Sequence, residues 1–103
     1  PMQGNFRKMG ELIALGADNI KNAISELRDM KNMRKSTDAL VRINSIENQA
    51  DDEFDTAILN LFATETDAKE IIKKREIFTV MEIATDKCED AANVIESIIV
   101  KYA

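Results

Sequence analysis

Histidine is absent from the chain and cysteine occurs once, as Cys88. A Cys/His zinc site and an intramolecular disulfide are thereby excluded. A lone thiol with no imidazole to activate it reads as a small buried hydrophobe, not as a nucleophile. Its solitary state suits a reducing, cytoplasmic setting. Proline occurs at position 1 and glycine at 4, 10 and 16, so residues 17–103 contain neither. Tight hairpins draw on such residues, which counts against β structure. No stretch approaches the roughly eighteen apolar residues of a membrane span, and no Gly-rich phosphate loop is present. The net charge of -5 disfavours nucleic acid as a partner, which would call for a basic face.

What is present is 45% hydrophobic and 32% charged, a balance too apolar for a disordered tail. The 103 residues match one domain, with neither an internal repeat nor a dividing linker. Apolar residues recur at helical spacing in three segments. The first, at about 5–32, carries Phe6, Met9, Ile13, Gly16, Ile20, Ala23, Leu27 and Met30 on one stripe. Gly10 and Gly16 each lower helix propensity by roughly 1 kcal/mol relative to Ala, which marks either close helix packing or a loosened stretch. Lys31-Asn32-Met33-Arg34-Lys35 suits a helix C-terminus. Ser36, Thr37 and Asp38 are N-cap residues, so the first turn is expected there.

The second segment, at about 38–63, carries Leu40, Ile43, Glu47, Ala50, Phe54, Ala57 and Leu61. The second turn is expected at Thr64-Glu65-Thr66-Asp67, with Glu70 placed to complete a capping box with Asp67. The third, at about 68–101, carries Phe78, Met81, Thr85, Cys88, Ala92, Ile95, Ile99 and Tyr102, and its charged start at 69–76 is expected to be exposed. The fold class predicted is all-α, an antiparallel up-down-up bundle of three long helices.

Two segments carry acids four residues apart: Glu47 with Asp51, and Glu82 with Asp86, followed by Asp90. Residues at that spacing share a helix face, where like charges repel by a few tenths of a kcal/mol. A cation converts that repulsion into binding, and carboxylates suit Mg, Mn, Ca or iron. A turn centred near Thr66 sets Glu47 level with Asp86 and Asp51 level with Glu82. Nineteen acidic residues also produce such spacings by chance, as a solvated face. Glu47, a carboxylate on an apolar stripe, is what separates the two readings. The di-iron bundle motif Glu-x-x-His cannot occur without histidine, so a surface cluster is expected and not a buried redox centre. The basic clusters Lys31, Arg34, Lys35 and Lys73, Lys74, Arg75 read as solvated surface or as contacts for an acidic partner or a lipid headgroup.

The run from Glu82 through Thr85-Asp86-Lys87-Cys88-Glu89-Asp90 to Glu96 resembles the last helix of the PhoU-like family of phosphate transport regulators. The run Ile43-Asn44-Ser45-Ile46-Glu47-Asn48-Gln49-Ala50-Asp51 resembles that family's preceding helix. The resemblance covers residues 42–103 and reaches the first helix by pattern alone. It implies a cytoplasmic protein of two tandem three-helix units, with a first half preceding this one. It implies metal, divalent or iron-type, held by Glu47, Asp51, Glu82, Asp86 and Asp90. It further implies a non-catalytic regulator that self-associates and meets a signalling protein or the cytoplasmic face of a phosphate transporter, with peripheral membrane contact only. A carboxylate-metal enzyme or metal store, and a metal-free interaction module, are the alternatives.

Overall fold

The computed structural model describes the backbone of residues 2–29 and 33–102 and the side chains of residues 4–28 and 36–102. The described backbone is helical apart from the short connection at 65–67. Helix α1 is Met2–Asp29, α2 is Met33–Thr64 and α3 is Ala68–Tyr102. Three cross-contacts fix their directions. Asn5 Nδ2 donates to Glu53 Oε1 at 2.7 Å and Arg42 Nε donates to Asn19 Oδ1 at 2.8 Å. An early residue of α1 thus meets a late one of α2, so this pair is antiparallel. The Phe6 and Phe78 rings stack with centroids 4.3 Å apart, which sets α3 parallel to α1. The up-down-up bundle is therefore observed, as a rod 55 Å long and 19 × 15 Å across.

A rod this thin buries little beyond one stripe per helix, and the core falls into two clusters along its axis. Met9, Leu12, Ile46, Ala50, Ala57 and Phe78 form the cluster nearer the α2–α3 turn. Ala23, Ala39, Leu40, Ile43, Ala92 and Ile95 form the other. Full burial of a side chain such as Leu12 or Phe78 contributes roughly 1.5–3 kcal/mol. Between the clusters, α1 comes close to α3. A Cβ added at Gly16 would stand 3.1 Å from Cys88 Sγ and 3.4 Å from Cys88 Cβ. Gly16 therefore marks close packing, and half-buried Cys88 fills the space. Gly10 has nothing within 4 Å of such a Cβ.

Several expectations require correction. The turn placed at Ser36–Asp38 is inside α2, which already starts at Met33. Ser36 is wholly buried and its Oγ donates to the Ala23 carbonyl of α1 at 3.0 Å. The hydroxyl that looked like a cap is a cross-helix tie. Met33, Arg34 and Lys35 open α2 instead of closing α1, while Met30, Lys31 and Asn32 lie outside the described residues. The stripes shift as well: Leu12, Ala39 and Ile46 are buried, whereas Tyr102 is exposed. The second turn falls where expected. Asp67 Oδ1 accepts from Lys69 N at 3.0 Å, capping α3. The Asp67 N–H donates to Glu65, not to Glu70. Glu65 also accepts from Lys74 Nζ at 3.0 Å, and that hydrogen bond holds its carboxyl below the usual value.

Candidate metal centre

The short 65–67 connection fixes the register of α2 against α3, and with it the height of every side chain along their groove. Ile46 takes the core position and turns Glu47 to the edge of the α2 stripe, half-buried beside α3. Asp51 follows one turn later on the same edge. From α3, Asp86 reaches the same level. Its backbone neighbour Thr85 is buried and donates Oγ1 to the Glu82 carbonyl at 2.7 Å. Packing of Thr85 into the core thus directs Glu82 and Asp86 toward the α2 side.

Glu47, Asp51 and Asp86 each present one carboxylate oxygen such that all three lie within 4.8 Å of one another. Two oxygens sharing a cation at 2.0–2.6 Å cannot be more than about 5 Å apart, so the spacing admits one ion among them. The charge balance is consistent with that. Burial, a hydrogen-bonding contact with Asp51 and the charges of Asp51 and Glu89 push the Glu47 carboxyl from 4.5 up to about 8. Near neutrality and without a cation, the cluster therefore retains a proton there. A bound cation would take its place, since ligand carboxylates must be deprotonated. The donor set is all oxygen and offers no imidazole, which fits hard or borderline ions.

The other two expected ligands stand differently. Glu82 lies outside the triad but within its field: burial first, then the charges of Asp51, Asp86 and Asp55, raise its carboxyl. Asp90 is well exposed, 3.9 Å from Lys87 Nζ, and is not among the three carboxylates that converge. Two acids were not singled out from the sequence, Glu89 and Asp55. Both had a signal: Asp55 extends the four-residue spacing of Glu47 and Asp51, and Glu89 follows Asp86 by three. The basic cluster on α3 is also tied locally, with Lys74 also 3.8 Å from Glu70.

The UPF0111 protein YkaA of Bacillus subtilis (strain 168) is 36% identical to the chain over 63 residues. The match covers 61% of the chain and 31% of YkaA, so the chain spans under a third of that relative. The motif resemblance thus finds support at a coarser level, as similarity to a UPF0111 protein. The name of that relative states neither a substrate nor a reaction. No protein-family model matches the chain, and no solved structure matches it. Among the described residues, no helix is long and apolar enough to cross a membrane.

Proposed function

We propose that the chain is a non-catalytic helical adaptor that holds a hard or borderline cation between α2 and α3, in the service of regulating phosphate transport. The observation that carries the metal reading is the convergence of three carboxylate oxygens from two helices within 4.8 Å. Glu47, Asp51 and Asp86 are the proposed direct ligands, with Glu82 beside them as a further acceptor. Asp90 is assigned no direct ligand role in this reading, because it is not among the converging carboxylates. The cation would supply positive charge that clamps α2 to α3. The regulatory role rests on the motif resemblance, and the partner proposed on that ground is the cytoplasmic face of a phosphate transporter or a signalling protein.

The metal reading is tested by titrating Mn, Mg and ferrous iron into the chain under calorimetry, with metal content measured in parallel. Glu47→Ala and Asp86→Ala should each weaken binding by tenfold or more, in line with the loss of a charged ligand, while Asp90→Ala leaves it nearly unchanged. Equal metal content in the parent and both ligand variants would remove these residues from the site. Co-purification with a phosphate transporter, lost when the bundle is unfolded and kept when it is folded, tests the adaptor role separately.

A further inference from the structure

Helix α3 carries apolar residues on two sides. Phe78, Thr85, Ala92 and Ile95 face the bundle and are buried. Roughly opposite them, Ile72, Val80, Ile83 and Val94 are 60%, 65%, 48% and 61% exposed. At 3.6 residues per turn these four fall within about a quarter of the circumference. Around Val80 and Glu76 the surface forms a ridge between two shallow clefts, one lined by Ile72 and the other by Ile77. Along this side the exposed apolar side chains are interleaved with charged ones, as at an interface that combines apolar contacts with charge pairing.

The charges along that face are ordered. Glu76 stands four residues before Val80, and Lys87 four residues after Ile83. Lys73 and Asp90 stand seven residues out on the same two sides. We propose that this face pairs with the same face of a second copy of the chain, antiparallel, about a two-fold axis between Val80 and Ile83. Val80 of each copy then packs on Ile83 of the other. Glu76 meets Lys87 of its mate, and Lys73 meets Asp90. Each contact occurs twice, as a two-fold interface requires. Within one chain Lys87 and Asp90 form only a loose pair, 3.9 Å apart with side chains 75% and 68% exposed. Both are therefore free to join a four-charge network across the interface. A parallel arrangement in register would set Glu76 beside Glu76 and Lys87 beside Lys87, which like-charge repulsion disfavours. The complementarity thus selects both the occupant and its direction. The inference does not depend on the metal reading, since none of these residues is a proposed ligand.

Sedimentation equilibrium of the 103-residue chain should report a mass approaching twice 11.6 kDa as concentration rises. Glu76→Lys alone and Lys87→Glu alone should each weaken association by about tenfold or more, because the like-charge contact arises twice. The double variant, Glu76→Lys with Lys87→Glu, should restore it. Ile83→Glu should give a monomer whose circular dichroism stays helical, which separates loss of pairing from loss of fold. A parent chain that stays monomeric throughout would overturn the proposal. So would a double variant as weak as the single ones, or a dimer that Ile83→Glu leaves intact.

Discussion

At the scale of single residues, the two interior glycines of α1 are alike in sequence and opposite in structure. Gly10 has room for a methyl group, so Gly10→Ala should raise stability by about 0.5–1 kcal/mol through helix propensity. Gly16→Ala gains the same propensity but sets its methyl 3.1 Å from Cys88 Sγ, which forces that side chain to shift. It should show none of the Gly10 gain, and Cys88→Ala in the same chain should recover it. Denaturant midpoints of the four chains check the pattern. Glu47 gives the second residue-scale expectation. Its folded value of about 8 exceeds the unfolded 4.5, so between them the folded chain binds a proton that the unfolded chain has released. Stability of the metal-free chain should therefore fall as pH rises across that window. Glu47→Gln, which mimics the protonated form, should flatten the slope in urea melts from about pH 5 to about pH 9. The carboxylate on the stripe was legible in the sequence. That Ile46 displaces it to the edge was not, because a period of 3.6 assigns a sector and not the exact side chain at its centre.

At the scale of elements, the two connections show what local signals can and cannot carry. Thr64-Glu65-Thr66-Asp67 reads correctly because Asp67 performs the capping that its type suggests. Asp67→Ala should cost about 1 kcal/mol, the ordinary value of an N-cap, measurable as a lowered urea midpoint with an unchanged slope. The half-buried pair of Lys74 and Glu65 holds the same turn, and high salt should loosen it in part. At the other connection, Ser36, Thr37 and Asp38 present three cap residues in a row, and the helix runs through them. Ser36 is sequestered against the Ala23 carbonyl, a partner thirteen positions away that no local pattern reveals. The register of α2 on α3 was legible, since a three-residue connection leaves it little freedom. It brings Glu47, Asp51 and Asp86 together, while Glu82, expected level with Asp51, stands outside the three. Asp90 shares the four-residue spacing yet is not among the converging oxygens, a difference that acid spacing alone does not express.

At the scale of the whole molecule, the carboxylate cluster sits where one core cluster gives way to the other. Ile43 belongs to the far cluster, Ile46 and Ala50 to the near one, and Glu47 stands among them. The far cluster sets Leu40, Ile43 and Ile95 among three alanines, while the near one holds Met9, Leu12, Ile46 and Phe78 with two. Phe78→Ala should accordingly cost about 3–5 kcal/mol, seen as a large drop in thermal midpoint. A cation at one hundred times its Kd should add about 2.7 kcal/mol, with a matching rise in that midpoint that Glu47→Ala abolishes.

The division of the core also bears on motion. Two small clusters can open one at a time, the end that lacks the Phe78 aromatic at lower free energy. Amide hydrogens of residues 36–43 and 92–99 should then exchange sooner than those of 46–61 and 71–81. A cation between them would fasten α2 to α3 where the two halves meet. Its arrival should slow exchange at the distant end, turning two local breathing motions into one concerted event.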